Sequence, residues 1–335
     1  MERGEAMARN ALHGTVRLAL LLLAVSFVTF ALVAASPIDP VQANVGQVAY
    51  LTMGPDRRAA LHELWGTDVP LLARYGSWLA AALRGDLGTS LRFNAPVVQV
   101  LGERLAASAL LLLASWALSG ALGFIMGVVA AVRRSSFADR AVCAVCYVLS
   151  ATPAFWLALV ALMVFSVGLG WFPIGFAAPV GVGPEDVSWA LRLHHLALPA
   201  LVLSLTGIAP IALHTRDKAV EAMESPYARF ARARGESDRR IMLRHGLRNV
   251  AAPALMLQFA SVGEVVGGSV LVEQVFSYPG LGQAAVAAGL GGDAPLLVGI
   301  ALLTAALVFV GNACADVLHG ALDPRAKGGD PRVPR

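Results

Sequence analysis

Few residues in this chain could do chemistry, and each sits in an apolar setting. Glu264 lies in "GEVVGGS", inside a run from Val250 to Val272 that holds no other charged residue. At about 1.5 Å per residue, a helix would place it about 21 Å from the start of that run. An ionisable group at such depth is costly unless it faces protein or water, and by default it marks a functional site. The other reading is a carboxyl that is protonated or hydrogen-bonded inside a helix bundle. Cys143 and Cys146 form a C-x-x-C, a spacing compatible with redox or metal chemistry, but they fall within an apolar helix where both serve as small hydrophobes on one face. His194 and His195 are adjacent, so one helix face cannot present both rings as the i,i+4 spacing of a metal pair would. Neither of the two lysines, Lys218 and Lys327, belongs to a phosphate-cradling G-K-[ST] loop, and the H-E-x-x-H and G-x-S-x-G patterns are absent. The sequence therefore gives no signal of an enzyme, a nucleotide site or a metal site in this chain.

The densest polar feature is "YARFARARGESDRRIMLRHGLRN", Tyr227 to Asn249, with seven arginines and two acidic residues in 23 positions. Tyr227, Phe230 and Ala231 fall at i, i+3 and i+4, which makes a short apolar face on a helix. Gly235 suits the left-handed position that ends a helix. Ser237 or Asp238 can cap a second helix through Ile241, Leu243 and Leu247, and Pro253 fits the first turn of the following apolar run. The pattern is helix, break, helix. An eight-residue helix is unstable alone in water, so the first one must fold against something. Anionic lipid would account for the arginines but not for the glycine break or the apolar knob.

The elements that carry these residues are membrane helices. The chain has 335 residues, 57% apolar and 14% charged, a balance that fits a multi-pass membrane protein rather than a soluble domain. Six runs are long enough to span a bilayer: 18–38, 105–132, 141–170, 195–213, 250–272 and 294–315. No A-x-A-like site follows the first, so it is expected to be retained. With a cytoplasmic N-terminus, segments 1–17, 133–140, 214–249 and 320–335 hold 19 of the 26 Lys and Arg residues, and the outer segments hold 7. Positive charge gathers on the cytoplasmic side, so both termini and the Arg-rich loop are expected there. The net charge of +4 then reflects topology and is weak evidence for nucleic acid, and no nucleic-acid partner is expected. In the outer segment 39–104, "DRRAALHELWG" predicts a helix stopped by Gly66. "VPLLARYGSWLAAALRGDLGTSL" predicts another with Trp78, Leu79 and Leu83 on one face and Gly85 at its end. That segment is either a cap on the membrane face or a docking surface for an external protein. Gly120, Gly123 and Gly127, like Gly263, Gly267 and Gly268, have the spacing of close helix contacts, and Gly267 and Gly268 with Glu264 also form a candidate wall of a translocation pathway.

The Arg-rich loop resembles the coupling loop of ABC-importer permeases, in the oligopeptide, dipeptide and nickel branch. Ala231 and Gly235 match the second alanine and the glycine of that loop's general pattern. Arg229–Phe230 stand where the pattern has Glu-Ala, and "HGLRN" replaces its ending. "SPIDPVQANVG", "LRGDLGTSL", "ATPAFWLALVALMVFSVGLGWFP", "GGSVLVEQVFSYPGLG" and "ALDPR" resemble the branch's other signature segments, in order along nearly the whole chain. The resemblance implies an all-α membrane protein of the type I ABC-importer permease fold, in a bacterial inner membrane. Its parts would be an N-terminus 1–17, a first span 18–38, the extracytoplasmic segment 39–104, a core 105–320 with the coupling loop 214–249, and a tail 321–335. It implies a homologous second permease subunit as heterodimer partner, two cytoplasmic ATPase subunits that bind ATP and Mg, an extracytoplasmic substrate-binding protein, and membrane lipid around the bundle. Tyr227, Phe230, Ala231, Arg232, Arg234 and Gly235 would then dock the ATPase. Di- or oligopeptides are the expected cargo. Glu264 leaves nickel or a metal–chelator complex open, and an ion-coupled secondary transporter or channel is the alternative of another class.

Overall fold

The computed structural model of the chain describes residues 2–65, 69–179, 181–182 and 186–322. The expected stop at Gly66 and the tail from Asp323 onward, with most of "ALDPR", lie outside the described residues. The elements in chain order are α1 (Glu2–Ala34), α2 (Pro40–Val45), α3 (Gln47–Thr52), α4 (Pro55–Leu64), α5 (Leu71–Ala82), β1 (Thr89–Ser90) and β2 (Ala95–Pro96). Then come α6 (Val97–Val132), α7 (Phe137–Ala151), α8 (Ala154–Ala161) with a π-helical extension Leu162–Gly168, and α9 (Trp189–Glu224). The last are α10 (Pro226–Ala233), α11 (Asp238–Ile241), a π-helical turn Met242–Gly246, α12 (Leu247–Ala260), α13 (Val262–Val275), α14 (Leu281–Leu290) and α15 (Ala294–Leu322).

Among the described residues four helices can span a membrane, and two bent helix pairs bring the number to the expected six if each pair is one span. Helices α1, α6, α9 and α15 are each long and apolar enough to cross a membrane, while α7 with α8 bends by 105° and α12 with α13 by 50°. The first bend lies at Thr152–Pro153. Thr152 takes extended angles, φ −100 and ψ 124, as a residue before proline prefers, and Pro153 has no N–H to continue the ladder. The second lies at Ser261, whose hydroxyl donates to the Gln258 carbonyl at 2.9 Å. Such side-chain bonding to a preceding carbonyl bends helices. Pro253 does not start the fifth span: the loop helix runs through the π-helical turn into α12, which leaves the proline in a helix interior.

The chain divides into two compact units. One comprises Met1–Ser108 with Pro279–Phe309. Here Phe30 of α1 packs with Trp78 of α5 and with Ala294 and Val298 of α15. Tyr75 meets Phe27 and Phe30 edge-on at 5.3 and 5.6 Å, and its hydroxyl lies 2.9 Å from that of Ser26. Arg74 covers the Phe30 ring at 5.0 Å, and burial pulls its pKa down. The face expected of α5 is corrected at one position: Trp78 and Leu79 turn inward, but Leu83 follows the helix end and is 81% exposed. Gly85 ends that segment with φ +90. The expectation of helices alone also missed a two-residue hairpin, β1 paired antiparallel with β2. Asp293 fastens it, accepting from Ser90 Oγ at 2.6 Å and the Arg92 N–H at 3.0 Å while capping α15 through the Leu296 N–H at 3.1 Å.

The second unit comprises Ala109–Tyr278 and the chain from Val310. Its axis is α9, packed by α7, α8, α12 and α13. The glycines of α6 do what their spacing predicts: a Cβ on Gly127 would fall 2.5 Å from the Ala212 carbonyl oxygen, so only glycine lets α6 and α9 come this close. Cys146 is fully buried against Ala209 and Ala212, a small hydrophobe as expected. His195 holds the loop before α9 through Nδ1, 3.1 and 3.2 Å from the carbonyls of Gly175 and Phe176, while His194 stacks on Phe172.

Candidate functional site

The Arg-rich loop is built from the end of α9. Ser225 leaves the helix with extended angles, and its hydroxyl accepts the Ala228 N–H at 3.4 Å. Pro226 takes the first helical position, where its missing N–H costs nothing. Nine residues later Gly235 adopts φ +84. Its N–H reaches the Arg232 carbonyl at 2.9 Å and the Glu236 N–H reaches that of Ala231 at 3.1 Å. This pair of bonds satisfies the last carbonyls of α10, and the positive φ is the reason a glycine stands there. The expected side-chain cap on the next helix does not form. Ser237 makes no capping bond, and Asp238 turns back to Arg232, with Nε to Oδ1 at 2.6 Å.

The apolar face read from spacing splits in two. Ala231 is buried, together with Ala228, which the i, i+3, i+4 reading passed over because an alanine carries little hydrophobic signal. Both pack among Ala131, Ala219, Met223, Ile241, Met242 and Val250. Phe230 is 66% exposed and Tyr227 38%, so the two aromatic residues point away from that cluster. The arginines also divide. Arg232 is an internal brace, since besides Asp238 it donates through Nη1 to the Met223 carbonyl at 3.1 Å. Arg234 lies over the Phe230 ring at 5.9 Å. Arg239, Arg240 and Arg244, with Ser237 and Leu243, line a shallow recess of about 340 Å³. The result is a short helix fixed from behind and presenting a cation-flanked aromatic knob.

The pathway residues lie on α13. Glu264 and Gly267 are exposed, and Leu271, one turn further, is 46% exposed. Gly268 is turned the other way, where a Cβ would meet Leu203 Cδ1 at 3.3 Å. The structure therefore keeps Glu264 and Gly267 together on one uncovered stripe and assigns Gly268 to packing against α9. A carboxylate on a bare span face calls for water or a partner helix rather than lipid.

Three polar positions escaped the sequence reading. Glu273 is 0% exposed near the end of α13, and its only signal was an acidic residue in "VLVEQVF". Gln258 is 4% exposed and donates through Nε2 to the Trp116 carbonyl at 2.5 Å, beside a cavity of about 350 Å³. Asp139 is 3% exposed and forms an ion pair with Arg216, at 2.6 Å to Nε and 2.9 Å to Nη2. No spacing rule links positions so far apart in the chain.

Comparison with known proteins covers nearly the whole chain. Residues 123–328 match the family described as "Binding-protein-dependent transport system inner membrane component", and residues 7–109 match the N-terminal family of such membrane components. The chain is 34% identical over 327 residues to the oligopeptide transport system permease protein AppB of Bacillus subtilis, covering 95% of this chain and 99% of that protein. It is 35% identical over 323 residues to a putative peptide permease protein of Brucella ovis, covering 96% and 99%. It is 34% identical over 319 residues to the di/tripeptide transport system permease protein DppB of Pseudomonas aeruginosa, covering 90% and 94%.

Proposed function

Because the chain belongs to the family of binding-protein-dependent transport system inner membrane components, we propose that it is the permease subunit of an ATP-driven importer whose cargo is di- and oligopeptides. As a family member it is a multi-pass inner-membrane transport subunit, and the secondary-transporter or channel reading falls away. The cargo is inferred from the relatives, which are peptide permeases by name over nearly their full length. In this reading ATP and Mg are held by two cytoplasmic ATPase subunits, an extracytoplasmic binding protein delivers the peptide, and a homologous permease completes the pathway. Both termini and the loop 214–249 lie in the cytoplasm.

The observation that carries the coupling role is the two-sided α10. Ala228, Ala231 and Arg232 tie it to its own chain, Tyr227 accepts from Asn249 Nδ2 at 3.4 Å, and the exposed Phe230 ring remains for a partner. A helix so braced transmits a push. The ATPase dimer closes on ATP, α10 is displaced, and the displacement passes through Met223 into α9. Arg234 and the basic recess steer the loop toward acidic groove edges and lipid headgroups. Glu264 on its uncovered stripe favours a second reading of the cargo, nickel or a metal–chelator complex.

The test is co-purification and vesicle uptake. An ATPase should co-purify with the chain, and labelled dipeptide should enter membrane vesicles only with ATP and the binding protein. Uptake indifferent to ATP would sink the proposal. Mass spectrometry of ligand on the cognate binding protein separates peptide from metal–chelator cargo.

A further inference from the structure

Asp139 and Arg216 are joined in a way that a chance surface pair is not. Asp139 sits in the first turn of α7, 3% exposed, and its carboxylate takes both prongs of the Arg216 fork from α9, at 2.6 and 2.9 Å. A third donor, the Ser135 N–H at 2.9 Å, holds the same carboxylate from the turn before α7, and Ser135 reaches that position with φ +63. The Asp139 N–H is in turn capped by Ser136 Oγ at 3.3 Å. A second tie from the same turn, Arg134 to Glu224, lies at the very end of α9. About 12 Å of helix, at about 1.5 Å per residue, separates Arg216 from Glu224. The turn before α7 is thus fastened to α9 by the buried Asp139–Arg216 fork, with the solvent-exposed Arg134–Glu224 pair adding little, and α10 is fastened to the same stretch through Met223 and Ala219.

The apolar contacts between α7 and α9 could not do this alone. Cys146, Ala209 and Ala212 are small, Val142, Leu149 and Leu213 pack around them, and hydrophobic attraction is non-directional, so these contacts set the closeness of the two helices more than their register. A forked guanidinium on a buried carboxylate fixes both position and angle. It also resists separation, because the buried Asp139 carboxylate would lose its counter-charge, while Arg216, partly exposed, keeps Asp217 at 3.3 Å.

We propose that Asp139 and Arg216 are a positioning pair that makes α7, the end of α9 and α10 move as one body, so that displacement of the docking helix reaches the third span as well as the fourth. The pair acts through the helices that it joins. The inference rests on the coupling role proposed above.

The test uses the assembled importer in proteoliposomes, with ATP hydrolysis and labelled dipeptide uptake measured on the same vesicles. Asp139→Asn and Arg216→Lys keep most of the side-chain volume and remove the charged fork. Each should leave ATP hydrolysis within about twofold of wild type and lower dipeptide imported per ATP by roughly tenfold, the usual scale of coupling between sites. The double variant should fall no further than the worse single one, since both remove one interaction. A wild-type ratio in both single variants, or losses that add in the double variant, would overturn the proposal. Spin labels on exposed Arg140 and Lys218 give a second measurement. Their distance should be the same with and without ATP in the otherwise unaltered chain and should split into two populations in Asp139→Asn. A distance that moves on ATP addition in the unaltered background also overturns it. Uptake by the unaltered importer tests the proposed function separately from the pair.

Discussion

Phe230 and Ala231 are neighbours in sequence with opposite duties, and substitution should separate them. The Phe230 ring is two-thirds exposed, so Phe230→Ala removes little of the chain's own packing. It should leave the melting behaviour of the purified permease within about 0.5 kcal/mol of wild type, as for most surface changes. An aromatic anchor buried in a partner's groove is a different matter, since its truncation there commonly costs 2 kcal/mol or more. Phe230→Ala should therefore reduce ATPase co-purification by roughly tenfold or more. Ala231→Leu should do the reverse. Its extra methylenes have no room among Ala131, Ala219 and Met223 and should cost about 1–3 kcal/mol of stability. Thermal melts and quantitative pull-downs of the two variants check both halves. If Phe230→Ala keeps full ATPase binding, the exposed knob is not the docking contact.

At the scale of elements, the end of α10 is the most exacting feature. Gly235 holds φ +84, where an L-residue pays about 1–2 kcal/mol, and α10 has only eight residues over which to spread that cost. Gly235→Ala should fray the helix and expose the Arg-rich loop, seen as faster trypsin cleavage between Tyr227 and Asn249. Insertion of the spans should be unchanged and peptide uptake per ATP should fall. Cleavage at the wild-type rate would mean that the turn tolerates other geometries. This glycine was legible from the sequence because its cause is local: a break between two charged helical stretches. The six apolar runs were legible for the same reason. What the sequence hid depends on partners far along the chain or on low-contrast residues. Asp293 reaches Ser90 about two hundred positions away, Arg216 reaches Asp139, and Ala228 is buried without being conspicuously hydrophobic. Pro153 was visible, but the size of a bend, here 105°, is set by what the following helix packs on. Glu264 was legible as an oddity; that its stripe on α13 is left uncovered was not.

At the scale of the whole molecule, one asymmetry predicts which face of the membrane each loop meets. Nineteen basic residues fall in the segments assigned to one side and seven in those assigned to the other. Moving such a loop across the bilayer is opposed residue by residue, so the count predicts sidedness more firmly than any single motif. Lys218 and Arg140 lie in segments expected to face the cytoplasm, and Leu83, 81% exposed, lies in the long segment expected outside. In a background with Cys143, Cys146 and Cys314 replaced by alanine, a membrane-impermeant maleimide should label Leu83→Cys in spheroplasts and leave Arg140→Cys and Lys218→Cys untouched. Inside-out vesicles should give the opposite result. The background itself should be only slightly weakened, because Cys146 is a small residue in a small-residue contact with Ala209 and Ala212. Labelling of Lys218→Cys from outside would place α10 on the wrong side for a cytoplasmic ATPase. The coupling role of Phe230 would fall with it, whatever the strength of the family match.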